Sequence, residues 1–238
     1  FGIGSTSIRN SYNVTFNANG HGTPSPASIS IKYGDDYRFP TISEKGYTLK
    51  GWFKESSLTN EVTESTKMTT ASAHTLYAKW EANKYTVKHS CGTGSGTVSD
   101  IIATYDTTFT SASNSCTKRG YKQIGWTTRS NETNDGYGWS NWTGTWVYDN
   151  GQYGISNRTL QLYPLWQANT YTVTYSCGST STQTATYNAS FSIAGNTCTK
   201  KGYTHTGWTT NSNGTNDGHN WSNWSGTWAY VNGEYGIA

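Results

Sequence analysis

The sequence predicts a mainly β protein assembled from three tandem repeats, on three observations. Of 238 residues, 33% are hydrophobic and 15% aromatic, so Trp, Tyr and Phe must supply most of any core. Thr and aromatics favour strands, while runs of Ala, Leu and Glu that would favour long helices are nearly absent. The third observation is internal repetition, which decides architecture ahead of local propensity.

Three openings align: YNVTFNANG from Tyr12, YTVKHSCGT from Tyr85 and YTVTYSCGS from Tyr171. In the first, Tyr12, Val14, Phe16 and Ala18 alternate with Asn13, Thr15 and Asn17, the period of a half-buried strand. Tyr85, Val87, His89 and Cys91 repeat that face, as do Tyr171, Val173, Tyr175 and Cys177. A second strand-like run ends at Tyr33, Tyr105 or Tyr187, and an aromatic follows four residues later at Tyr37, Phe109 or Phe191. Then comes the sharpest anchor, KGYTLKGW (45–52), RGYKQIGW (119–126) and KGYTHTGW (201–208). Its glycines predict a tight entry and close backbone packing beside the Trp. Two copies close with LYAKW (76–80) and LYPLW (162–166), followed by the short linkers EANK and QANT.

The predicted organisation is an N-terminal segment 1–11, repeat one over 12–80, a linker 81–84, repeat two over 85–166, a linker 167–170 and repeat three over 171–238. Linkers this short leave little freedom between repeats. Repeat three shows no closing strand, and the opening Phe-Gly-Ile echoes the Tyr-Gly-Ile near the end of the other copies' insert. The expectation is a piece of a longer array, with a head-to-tail fibre completed by strand addition as the alternative.

That insert reads YGWSNWTGTWVYDNGQYGI (137–155) and HNWSNWSGTWAYVNGEYGI (219–237). Asn150-Gly151 and Asn232-Gly233 predict two-residue β-hairpins. The spacing W-x2-W-x3-W places Trp139, Trp142 and Trp146 in one copy and Trp221, Trp224 and Trp228 in the other. Trp146 and Tyr148 share a strand face, whereas Trp139 has the opposite parity, so the three rings need not form one flat platform. These six tryptophans are the candidate ligand or partner contacts. Packing is the favoured reading, because aromatics are the main core material available. Stacking on sugar rings is the rival.

The first repeat, VTFNANGHGTPSP…GYTLKGWF…TLYAKW, resembles the Listeria–Bacteroides repeat, the B repeat of internalin-type surface proteins. The likeness covers 12–80, and the other copies keep the opening strand and the G-Y-x3-G-W anchor while adding cysteines and the insert. It implies small β-grasp-like domains strung in arrays on bacterial surface or secreted proteins, with no catalytic machinery.

Cys91 and Cys177 share one inward strand position, and Cys116 and Cys198 both lie five residues before the anchor Tyr. One pair per repeat predicts Cys91–Cys116 and Cys177–Cys198. Repeat one carries Ala18 and Ile42 at the equivalent positions, an apolar pair that fits a buried contact. Zinc is the competing reading, but no C-x2-C spacing or suitably placed His supports it. Disulfides place the protein outside the cytosol.

Chemistry-bearing patterns are sparse. Of His21, His74, His89, His205 and His219, only His89 falls on a predicted core face, as a packing residue. No nucleophile elbow, HExxH or phosphate loop appears, so no enzyme is expected. Asn-Asp-Gly before Trp139 and Trp221 reads as a turn; calcium needs six to eight oxygens, and Glu132 of one copy is Gly214 in the other. Net charge is +3 with scattered Lys and Arg, which disfavours nucleic acid, and no apolar run approaches a membrane span. The expected role is an extracellular structural or adhesive repeat segment, without cofactor or metal. Its expected partners are neighbouring repeats, other copies of itself in a fibre, or glycans and a host surface.

Overall fold

The computed structural model describes residues 3–238; Phe1 and Gly2, which begin the Phe-Gly-Ile echo, lie outside them. The fold is mainly β, and no helix occurs among the described residues. None is therefore long and apolar enough to cross a membrane, which leaves β-barrels unaddressed. Two compact units form. One comprises the chain through Val87 with Ile102–Thr110 and Thr143–Leu160, the other Lys88–Ile101, Ser111–Trp142 and Gln161–Ala238. Their boundary runs through the second repeat.

The first unit contains β1 (Ser11–Asn17), β2 (Ser28–Lys32), β3 (Tyr47–Phe53), β4 (Glu61–Val62) and β5 (His74–Ala82), in the sheet order β2-β1-β5-β3-β4. β1 and β5 run parallel at its centre, and the remaining pairs are antiparallel. The predicted alternation holds: Val14 and Phe16 point into a core shared with Ile31, Trp52, Met68, Leu76 and Ala78. The β3–β5 register passes from Leu49↔Trp80 to Gly51↔Lys79, so Lys50 is bulged.

Downstream come β6 (Lys84–His89), β7 (Ile101–Thr104), β8 (Thr108–Thr110), β9 (Tyr121–Thr127), β10 (Thr143–Thr145) and β11 (Thr159–Ala168). Four of these follow the order β7-β6-β11-β9, and β8 pairs with β10. The β9–β11 register slips past Ile124, the position matching Lys50. The second unit also holds β12 (Thr170–Ser176) paired with β13 (Thr180–Thr186), and β14 (Ser190–Ser192) paired with β15 (Ser225–Thr227). Residues 204–208, the third copy of the anchor strand, adopt no strand pairing.

The inserted β-hairpins are not formed. β10 and β15 pair back to β8 and β14, and residues 146–155 and 228–237 around the Asn-Gly steps form no strand. Instead Gly151 N–H bonds Ile155 O and Gln152 N–H bonds Asp149 O, at 2.8 and 3.1 Å, closing a compact turn. Gly233 to Ile237 and Glu234 to Val231 repeat it at 2.8 and 3.1 Å. Positive φ falls on Gly151, Tyr153 and Gly154 (87, 51 and 78°), so the Asn-Gly signal marks a wound turn, not a strand reversal.

Candidate functional site

The most elaborate shared geometry lies where repeats meet. Each linker asparagine is a two-way strap. Asn83 N–H donates to Gly46 O and its carbonyl accepts from Tyr105 N–H, both at 2.8 Å. Asn169 does the same with Gly120 O and Tyr187 N–H, both at 2.9 Å. The strap seats the tyrosine of one repeat on the glycine of the one before. A Cβ on Gly46 would lie 2.2 Å from the Tyr105 ring, and one on Gly120 2.3 Å from that of Tyr187. Only glycine fits, and both sit at positive φ, 77 and 76°. Tyr47 meets Tyr105 edge-on at 5.5 Å and Tyr121 meets Tyr187 at 5.3 Å. In repeat one, Asn10 O accepts from Tyr33 N–H at 2.8 Å, and Tyr33 is 41% exposed.

Charge tightens each junction differently. At the first, Asp149 accepts from the Tyr85 hydroxyl at 2.7 Å and from Gly46 N–H at 3.2 Å. Burial pushes the Tyr85 phenol up to about 12, with the Asp149 hydrogen bond adding to it. Burial also opposes ionisation of Asp149, but its hydrogen bonds outweigh that and hold the carboxyl below its ordinary range. At the second junction Val231 stands where Asp149 does, and Arg119 donates to Glu234 at 2.8 Å and to Ala229 O at 3.2 Å. The hydrogen bond from Arg119 lowers the Glu234 carboxyl.

The tryptophan inserts brace these junctions. Asp106 N–H, beside the clamped Tyr105, donates to Trp146 O at 2.8 Å, and Trp146 N–H returns to Thr107 O at 2.9 Å. Asn188, Trp228 and Ala189 form the same exchange at 2.7 and 2.9 Å. Repeat one, which lacks the insert, makes it with Gly34, Met68 and Asp35, both at 2.8 Å. Met68, Trp146 and Trp228 therefore hold one structural position. The Trp146 side chain is fully buried between Tyr85 (5.8 Å), Phe109 (5.1 Å) and Tyr148 (5.3 Å), with its indole N–H on Tyr148 O.

Of the six candidate contact residues, Trp139, Trp146, Trp221 and Trp228 are buried, while Trp142 and Trp224 are half-buried. The rings meet edge to face, Trp139–Trp142 at 62° and Trp221–Trp224 at 63°, so they form no flat platform. Ser140 and Ser222, next to the first insert Trp, press on the anchor glycines. A Cβ on Gly125 or Gly207 would fall 1.5 or 1.6 Å from the serine Oγ.

The Asn-Asp-Gly segments are turns with saturated carboxylates. Asp135 accepts from Thr128 N–H (2.6 Å), Thr128 hydroxyl (2.8 Å) and Tyr137 N–H (2.9 Å). Asp217 accepts from the Thr210 N–H and hydroxyl, from His219 N–H and, at 3.1 Å, from the Trp221 indole. Burial opposes the ionised form of Asp135, but its hydrogen bonds prevail and lower it. Asp217 is held lower, chiefly by the Thr210 N–H. The Thr127–Thr128 and Thr209–Thr210 pairs that make these loops were not among the expected site residues, although a repeated Trp-Thr-Thr marks both in the sequence.

Both disulfides form as paired from sequence, Cys91–Cys116 and Cys177–Cys198, with Cα separations of 5.5 and 5.8 Å. Cys116 N–H donates to Gln123 Oε1, and Gln123 Nε2 donates to Gly125 O across the anchor bulge. His205 replaces that glutamine: Nδ1 accepts from Cys198 N–H at 3.2 Å, so Nε2–H donates to Gly207 O at 2.8 Å. His89 packs edge-on against Trp126 at 4.8 Å, and burial lowers its pKa. Among the described residues, no three His, Cys, Asp or Glu side chains are grouped to hold a metal ion.

The Listeria-Bacteroides repeat domain model matches residues 12–79 and 171–225, taking in the opening strands and anchors of the first and third copies. The chain belongs to that family. A relative from Evansella cellulosilytica named "Putative membrane protein" is 30% identical over 216 residues, 87% of this chain and 30% of its own length. A second from the same organism, "Putative Gly-rich membrane protein", is 32% identical over 170 residues, 70% of this chain and 17% of its own. The chain thus spans less than a third of either relative. No solved structure matches it with significance.

Proposed function

We propose that the chain is a non-catalytic structural segment of a surface-associated protein, its repeats clamped in series through glycine, tyrosine and asparagine. The observation that carries this reading is the clamp itself: the same strap and the same ring-on-glycine contact occur at both linkers. Geometry repeated at successive joints is what a linear array requires of neighbours that contact only each other. The disulfides and the membrane-protein names of the relatives support a non-cytoplasmic, extracellular placement. The β-grasp-like character of the repeat is supported by the mixed sheet with its central parallel pair. Antibody labelling of intact cells of the source tests the placement. Labelling of unbroken cells is expected; signal confined to lysed cells would overturn the reading.

A glycan- or surface-binding role is the second reading, favoured by the partial exposure of Trp142 and Trp224 and by Tyr137 at 50%. A glycan array with Trp142→Ala and Trp224→Ala separates the two readings. Binding lost in variants that keep their thermal unfolding midpoint would favour adhesion.

A further inference from the structure

Each opening strand sets one ring against the anchor Trp in the same way. Phe16–Trp52 lie at 5.0 Å and 66°, His89–Trp126 at 4.8 Å and 67°, and Tyr175–Trp208 at 4.8 Å and 62°. Phe16 brings no polar atom to this position. The Tyr175 hydroxyl donates to Gln183 Oε1 and accepts from Ala194 N–H at 3.2 Å. His89 is the exception: both its ring nitrogens are shielded from solvent, and neither makes a well-formed hydrogen bond. A buried N–H and a buried lone pair left unpaired cost stability, a cost that a phenyl ring in the same place would avoid.

The surroundings disfavour a charged imidazolium. Trp126 is fully buried, and the Ser90 N–H next to the ring is tied to Leu162 O at 3.0 Å. Lys84 and Lys88 of β6 and Lys122 of β9 are exposed, β7 and β11 carry no charged residue, and Lys118 and Glu132 pair with each other at 3.7 Å. The other titratable side chains of these strands are the phenols of Tyr85, Tyr121 and Tyr163. Asp100, just before β7, is the carboxylate that acts on the ring. Burial holds the imidazole below its ordinary pKa, outweighing the opposing pull of the Ser99 backbone and of Asp100.

We propose that His89 is an acid-release catch in repeat two: its protonation frees the end of β6 and the loop over 92–100, while the Cys91–Cys116 disulfide keeps the opened segment tethered. That loop is the part able to give way, because it forms no strand and is joined to the approach of the anchor by one isolated bridge, Ser95 with Thr117. A base held below its ordinary pKa by the fold favours the closed form fully above about pH 6.5. Below that value the opened form takes up the proton first, and opening gains up to about tenfold per pH unit until the lowered value is reached. Repeats one and three, with Phe16 and Tyr175 in this position, lack the catch. It concerns the fold of one repeat and not surface placement, so it and cell labelling can fail separately.

The test is amide exchange of the intact chain at about pH 7 and about pH 5, corrected for intrinsic rates, beside His89→Phe, which installs the ring of repeat one. Protection at the Ser90, Ser95 and Thr117 amides should fall at least about tenfold on acidification in the native chain and hold in His89→Phe. The Phe16 amide, bonded to Ala27 O, should stay protected in both. An unchanged native chain, or an equal loss in both proteins, would overturn the proposal. Should His89→Phe not fold, His89→Tyr, the residue of repeat three, takes its place. A ring-proton NMR titration of the native chain gives a second reading: the His89 midpoint should lie below that of an exposed histidine, and a midpoint at or above it would also overturn the proposal.

Discussion

Glycine 120 carries more of this molecule than its size implies. Its φ of 76° and the Tyr187 ring, 2.3 Å from where a methyl group would sit, leave no room for a side chain. Gly120→Ala should cost roughly 2–4 kcal/mol, combining left-handed strain with overpacking, read as a lowered urea midpoint. Buried tryptophans rank by depth: Trp146→Ala should cost roughly 3–5 kcal/mol, and the half-buried Trp142 roughly 1–2 kcal/mol. Equal costs for the two would contradict the bracing role. Asp135 and Asp217 titrate lower in the fold than in the unfolded chain. Their stabilisation is therefore complete above the ordinary carboxylate range near pH 4 and is lost as pH falls through the depressed values. Asp217→Asn should flatten the acid limb of the stability profile; an unchanged limb would show that these carboxylates do not matter. Core positions such as Val14 and Phe16 were legible because period-two alternation reports burial directly. Gly120 was legible as a required glycine but not for its reason, since the ring that excludes a side chain comes from 67 residues later in the chain.

At the scale of elements, the cysteine pairs link the end of each opening strand to the approach of the anchor. Loops with sequence separations of 25 and 21 residues imply roughly 3 kcal/mol apiece, so reduction should lower the unfolding midpoint without altering the first sheet. An unchanged midpoint in reductant would contradict a stapling role. His205→Gln should be neutral, since Gln123 makes the same latch in the sister copy. His205→Ala should cost about 1 kcal/mol by leaving the Cys198 N–H unpaired. The cysteine pairing was readable because both partners repeat at fixed offsets from recognisable strands. The insert was not. Asn-Gly predicts a hairpin only when two strands can pair across it, and here Trp146 and Trp228 are already committed to main-chain bonds with the turn after Tyr105 or Tyr187. A long-range partner outweighed a local propensity.

At the scale of the whole molecule, the proposed structural role rests on the joints between repeats. The linker asparagine, the anchor glycine and the second-strand tyrosine are far apart in sequence and repeat in step. Each was visible in the alignment of the copies, but their meeting depends on how one repeat follows another, which periodicity within a repeat does not encode. The direct test is hydrogen–deuterium exchange at the Asn169 and Tyr187 amides, whose acceptors are Gly120 O and Asn169 O. In Gly120→Ala the clamp account predicts at least tenfold faster exchange at these two amides, with the β1–β5 amides unchanged. Unaltered protection at Asn169 and Tyr187 in a folded variant would contradict it.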